Sequence, residues 1–261
     1  MNVYLMADTH GSAKPIKNFY NRIKDTGELS NNREDNVIII CGDAGLNYFF
    51  NHRDKDVKTE LSKYPFTFFI VRGNHEERAE VCAETYPDEW TQEIFFDGDV
   101  WVEKEYPYIK YALDIVSVYN IDGYSTITIP GAYSVDKYRR IQNGWSWFEK
   151  EQLSEEEKSL GELSIKLCHN KCDLVLSHTC PIIYEPTDLF LSCVDQSLVD
   201  SSMERYLGEI EYNLDYKAWV WGHYHAFRDY PSPDGRRRLM VMHEPVRLKD
   251  VMNVKEKLEV I

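Results

Sequence analysis

Short runs of consecutive apolar residues recur along this chain, and each one stops at a cluster of small and polar residues. The runs occupy residues 3–7, 37–41, 66–71, 174–176 and 218–221. They are continuous rather than alternating, the pattern of strands covered on both faces. Between the first three lie segments of helical spacing. Residues 14–29 place Ile16, Phe19, Tyr20 and Ile23 on one face, and residues 57–64 form a second such segment. The charged stretch from Glu76 onward reads as a further helix start. Strand, helix, strand, helix, strand predicts a parallel α/β arrangement.

From about Asp97 the pattern changes. Residues 100–103, 115–118 and 124–129 read as strands, the last two joined through Ile121-Asp122-Gly123 as an antiparallel hairpin, so a second sheet is expected. Ser154-Glu155-Glu156-Glu157 fits a capping box opening a helix towards Cys168. Residues 181–198, rich in Pro, Asp and aromatics, read as a loop over the strand ends. Residues 201–214 read as a helix, and 227–230 with 238–242 as a closing hairpin. Arg236-Arg237-Arg238 reads as a solvated turn.

The turns carry the chemistry. Asp8-Thr9-His10, Gly42-Asp43-Ala44-Gly45, Arg72-Gly73-Asn74-His75-Glu76, Ser177-His178-Thr179 and Gly222-His223-Tyr224-His225 each follow an apolar run. Five of the 8 histidines sit in them, which scattered surface histidines would not do. Strand carboxyl ends are where open α/β sheets keep their ligands. Carboxylate, imidazole and amide oxygen suit first-row divalent metals, and seven such groups are too many for one tetrahedral zinc. The remaining histidines, His52, His169 and His243, read as surface residues.

Composition narrows the class. A hydrophobic fraction of 43% over 261 residues is that of one folded domain spanning 1–261, with a motif-bearing core of about 1–245. The net charge of -14 repels a phosphate backbone at long range and argues against long nucleic acids. The six cysteines contain no CxxC pair, and Cys168 with Cys172 reads as packing. No apolar run approaches the ~18 residues of a membrane span, and no signal peptide is evident. A reduced, cytoplasmic protein without membrane association is expected.

The ordered set D-x-H, GD, GNH[DE], H and GHxH resembles the calcineurin-like metallophosphoesterases, and it covers Asp8 to His225. In its RGNHE form the third motif is closest to members of the phosphoprotein phosphatase type. The resemblance implies a four-layer αββα sandwich of two mixed sheets flanked by helices. It also implies two divalent ions, Mn, Fe, Zn or Ni with Mn favoured. Asp8, His10 and His225 would bind one ion, and Asn74, His178 and His223 the other, with Asp43 bridging. His223 and His225, two apart, would leave the backbone on one side, one for each ion. The implied reaction is phosphomonoester hydrolysis by a hydroxide bridging the ions, with His75 as general acid, on a small-molecule or phosphoprotein substrate. Phosphodiester or dinucleoside-polyphosphate hydrolysis is the alternative, and a non-catalytic scaffold a third reading. Where the protein phosphatases carry a second Asp and an Arg after GD, this chain has Leu46 and Asn47. The partner of His75 must come from elsewhere. Arg72 and the adjacent pair Arg139 and Arg140 are the candidate phosphate ligands.

Overall fold

A computed structural model describes residues 1–230 and 233–253. The first half alternates strands and helices: β1 (Asn2–Met6), α1 (Lys14–Ile23), β2 (Asn36–Cys41), α2 (His52–Leu61), β3 (Thr67–Val71) and α3 (Ala79–Thr85). An antiparallel meander of β4 (Trp90–Phe95), β5 (Gly98–Glu103) and β6 (Ile109–Ala112) follows, then a hairpin of β7 (Ser117–Ile121) and β8 (Tyr124–Ile129) in the other sheet. The second half holds α4 (Lys137–Asn143), α5 (Glu155–Leu167), β9 (Leu174–Ser177), α6 (Ser202–Asn213), β10 (Ala218–Trp221), β11 (Arg228–Tyr230), β12 (Arg237–Met240), β13 (Val246–Arg247) and α7 (Leu248–Met252).

The strands form two mixed sheets, ordered β13-β1-β2-β3-β6-β5-β4 and β11-β12-β10-β9-β8-β7. In the first, β1, β2, β3 and β6 are parallel. In the second, β8, β9, β10 and β12 are. Alternate residues of each parallel strand serve different layers. Leu5, Ile39, Phe69, Leu176 and Val220 fill the space between the sheets. Tyr4, Ile38 and Phe68 turn outward with Ile16 and Phe19 of α1 and Leu61 of α2. Val175 and Trp219 turn outward with Ile165 of α5 and Leu207 of α6. Both faces of each such strand are therefore buried, which is why the apolar runs do not alternate.

Several boundaries differ from those expected. The helix expected from Glu76 begins at Ala79, because the Glu76 carboxylate accepts the Gly73 and Gly45 N–H groups and holds residues 76–78 as loop. The strand expected at 115–118 runs Ser117–Ile121. β4 and β6 were not legible: both are partly polar, and β6 is four residues long. Arg238 is not in a solvated turn. It lies buried on β12, paired with Glu211 and Asp234. Beyond β12 the chain crosses between sheets, Val241 N–H donating to Trp221 O and Ala7 N–H to Met242 O, which ties the two sheets together beside the first motif turn.

Candidate metal centre and catalytic site

Because β1, β2 and β3 are parallel neighbours, as are β9 and β10, their carboxyl-end turns meet at one end of the sandwich. His10 N–H donates to Asp43 O (2.8 Å), and Asp8 N–H to Gly42 O (3.1 Å). Across the sheets, His223 N–H donates to Asp8 Oδ1 (3.1 Å) and His178 Nδ1 to Cys41 O (3.0 Å). This approach leaves no room for side chains at the motif glycines. A Cβ on Gly42 would lie 1.9 Å from His178 Nδ1, and one on Gly73 2.1 Å from Asp43 Oδ1.

The turns are tight enough to hold non-glycine residues in the left-handed region: Asp8 (φ 58°), His10 (46°), Asp43 (52°), His223 (72°) and His225 (52°). Such conformations cost about 1–2 kcal/mol each and persist where the surroundings impose them. They also replace the expected reason for the placement of His223 and His225. Both histidines lie beyond the end of β10 with positive φ, so strand alternation does not place their imidazoles.

The structure brings all seven expected ligands together. Asp8, His10, Asp43 and His225 each offer one ligand atom within 4.8 Å of the others, an arrangement that could hold a metal ion. His10 Nε2 and His225 Nε2 face each other at 2.9 Å. On the far side of Asp43, His178 Nε2 lies 2.9 Å from Asn74 Oδ1 and 3.3 Å from Asp43 Oδ1, and its ring is 5.0 Å from that of His223. Asp43 stands between the two groups, its carboxylate also 3.8 Å from His10.

These groups fit a cation. Asp8 Oδ2 is buried with no hydrogen-bond partner, and an unpaired buried carboxylate oxygen is costly unless a positive charge faces it. Burial pushes the Asp8 carboxyl up to about 7, against the pull of His178. Burial also pushes His10 down to about 4 and His223 well below its ordinary value, which keeps their ring nitrogens free to ligate. Burial alone would lower His178, but the Asp43 carboxylate pushes it up to about 9. A proton on His178 thus takes the position where a cation would compensate Asp43.

Supporting residues orient this set. Asn74 Nδ2 donates to Ser134 Oγ (2.9 Å), which turns Asn74 Oδ1 towards His178, and Ser134 donates in turn to Glu151. His243 is exposed, as expected, and its Nε2 contacts the Asp8 carbonyl (2.7 Å). Ser134 was missed although its signal was present. It ends Pro130-Gly131-Ala132-Tyr133-Ser134, another small-residue turn after an apolar strand.

His75 lies at the rim, its Nε2 4.0 Å from Asp43 Oδ2. Of the acid and arginine absent at Leu46 and Asn47, α4 supplies an arginine. Arg140 Nη2 is 3.0 Å from His75 Nδ1 and 2.7 Å from Nε2. Arg140 Nε donates to Asp136 (2.7 Å) and Nη1 to Tyr48 Oη (3.1 Å). Burial and the Arg140 charge lower the His75 imidazole, against the pull of Asp43. Leu46 packs in the outer core, and Asn47 accepts from Lys58 Nζ (2.9 Å).

Of the three arginines named from the sequence, Arg140 lies beside His75 and the other two are placed elsewhere. Arg72 is buried, its Nε donating to Asp114 (2.8 Å) and its Nη1 to the Gly73 and Glu151 carbonyls, so it braces the Asn74 loop from behind. Arg139 is exposed and lies over the Trp145 ring, one residue out of phase with Arg140 on α4.

Carboxylates, imidazoles and an amide thus converge at the strand ends of a two-sheet sandwich, in an arrangement that could hold metal. Residues 1–227 match the family described as calcineurin-like phosphoesterase, and the chain belongs to that family. No curated protein matches it. Among solved structures, the protein TT1561 of Thermus thermophilus shares the fold at 10% identity and a TM-score of 0.52, covering 95% of each chain. A dimetal phosphatase from Danio rerio is similar at 11% identity and a TM-score of 0.48, over 93% of this chain and 88% of that one. A phosphopantetheinyl hydrolase from Mycobacterium tuberculosis is similar at 13% identity and a TM-score of 0.49, over 92% and 89%. Among the described residues no helix is long and apolar enough to cross a membrane.

Proposed function

We propose that the protein is a dinuclear phosphomonoesterase in which His75 is the general acid and Arg140 the phosphate ligand. Asp8, His10 and His225 would hold one divalent ion, Asn74, His178 and His223 the second, with Asp43 shared. Mn, Fe, Zn or Ni suits this ligand set, and Mn is favoured. Bound there, the ions supply Lewis acidity towards phosphoryl oxygen and lower the pKa of water.

The observation that carries the reading is the pairing of Arg140 with His75 at the open edge of the ligand cluster. His75 protonates the leaving oxygen, a step that needs an imidazole at the rim rather than among the ligands. Arg140, anchored by Asp136 and Tyr48, neutralises charge on a phosphoryl oxygen without having to reorganise. A phosphate dianion beside both groups offsets the Arg140 charge and favours protonation of His75. A monoester brings two negative charges and a diester one, so an added fixed cation favours the monoester. The substrate is a phosphorylated small molecule or phosphoprotein; long nucleic acid is disfavoured by the chain's charge of -14.

The test is a metal-reconstituted assay comparing p-nitrophenyl phosphate, its bis-ester and a panel of phosphopeptides. Faster turnover of the bis-ester would replace the monoesterase reading with a diesterase one.

A further inference from the structure

Beside His223 and His225 the chain leaves a cleft of about 420 Å³ between α6, the Tyr133 turn and the segment before α6. That segment contains only short 3-10 turns, and its Leu189, Phe190 and Val194 line the cleft. None of the three belongs to the clusters that form the hydrophobic core. Phe190 stacks on Tyr224 of the last motif turn, ring centroids 6.4 Å apart and planes 20° apart. The wall is therefore apolar, continuous with the ligand turns and held in place by one of them.

Polar residues Glu185, Gln196, Asp200 and Ser201 line other parts of the cleft, and one buried acid stands among them. Glu204 of α6 lines the cleft and is buried (4% exposed). Its Oε1 accepts from Thr179 Oγ1 at 2.7 Å, and its Oε2 is buried without a hydrogen-bond partner. A buried carboxylate oxygen left unpaired costs about 1–3 kcal/mol, a cost that a bound donor would remove. Clefts of roughly 300–1,000 Å³, apolar with a few placed polar groups, are the form of small-molecule sites.

We propose that this cleft binds the alcohol part of the phosphoester substrate, and that this part is a bulky, largely apolar group bearing an N–H or O–H donor for Glu204 Oε2. The inference rests on the phosphoesterase reading above, because the cleft is a substrate site only if His223 and His225, which line it, belong to the reaction centre. It disfavours phosphoserine and phosphothreonine, whose alcohol parts are too short to fill it.

Three phosphate monoesters test it with the Mn-loaded enzyme: tryptophol phosphate, 2-(1-naphthyl)ethyl phosphate, which is similar in shape but lacks the N–H, and ethyl phosphate. Tryptophol phosphate should exceed ethyl phosphate about 10²-fold in kcat/KM, and the naphthyl ester about 10-fold. Val194→Trp, which fills the cleft, should collapse the first ratio. Glu204→Gln keeps an acceptor for Thr179 but presents a donor in place of Oε2, and should collapse the second ratio. Melting curves of both variants confirm folding. Calorimetric titration with tryptophol itself gives a readout without hydrolysis: binding to the wild type should weaken at least about 10-fold in Val194→Trp. If tryptophol binds in this way but no ester is hydrolysed, the cleft stands and the phosphoesterase reading fails. Ratios within about 2-fold of unity, or a preference for phosphopeptides, with hydrolysis intact, would overturn the cleft proposal alone.

Discussion

Arg140 reaches from α4 to place one guanidinium nitrogen 2.7 Å from His75 Nε2, across 65 residues of sequence. Arginine has no acceptor, so it cannot orient the imidazole as a carboxylate would. It can only donate to a neutral ring or bind an anion beside it. Arg140→Ala should therefore lower kcat/KM about 10²-fold, the usual effect of removing one fixed donor at a phosphoryl-transfer site. Arg139→Ala, one residue away and exposed, should change it less than about 2-fold. Equal losses in the two variants would mean that α4 acts through its fold rather than through Arg140.

His75→Ala should leave metal content unchanged and lower turnover about 10²–10⁴-fold on alkyl phosphates. The loss should shrink on p-nitrophenyl phosphate, whose leaving group needs no proton. An equal loss on both substrates would leave His75 as a phosphate-positioning group.

Adding Mn to chelator-treated protein should raise its melting temperature, since a ligand at 100 times its Kd stabilises by about 2.7 kcal/mol. Asp43→Asn should abolish most of that rise, because Asp43 stands between both groups of ligands. Ser134→Ala should weaken binding at the Asn74 side alone, leaving two classes of metal affinity where the wild type has the tighter pair. A full Mn-induced rise in Asp43→Asn would exclude the shared-carboxylate arrangement.

Arg78 is buried and ties the loop after Asn74 to the segment carrying Glu151, donating to the Lys150 and Gln152 carbonyls and pairing with Glu157. Burial would raise the Glu157 carboxyl, but the Arg78 hydrogen bond and charge and the Ser154 N–H pull it down to about 2. A carboxyl depressed on folding contributes stability that is fully present above its unfolded value of 4.5 and is lost as pH falls towards 2. Glu157→Gln should therefore lower the melting temperature at pH 7, and the difference from wild type should narrow below about pH 4. A gap that stays constant down to about pH 2.5 would show that the pair contributes through packing alone.

How much of this was legible depended on the distance over which each feature is determined. The five strand ends were readable because a strand buried on both faces needs a continuous apolar run, and a turn of small and polar residues ends each one. That local grammar picked out Asp8, His10, Asp43, Asn74, His178, His223 and His225 as candidate ligands, and the parallel order of the strands brought them to one end. β4 and β6 escaped because they are partly polar and held largely by their partners in the sheet.

What no stretch of sequence contains is the choice between neighbours that look alike. Arg139 and Arg140 are adjacent and identical, and only the phase of α4 against the His75 loop decides that Arg140 faces the site. Arg72 lies inside the most telling motif, yet β3 points it into the layer behind, where Asp114 neutralises it. Glu204 gave no signal, since one glutamate on an amphipathic helix resembles any other until the segment before α6 folds over it. The sequence by itself determined which strand ends carry the candidate ligands, because apolar runs and their terminal turns are set by contacts a few residues long. Which cation meets His75, and which acid faces the cleft, was decided only when elements distant in sequence packed together.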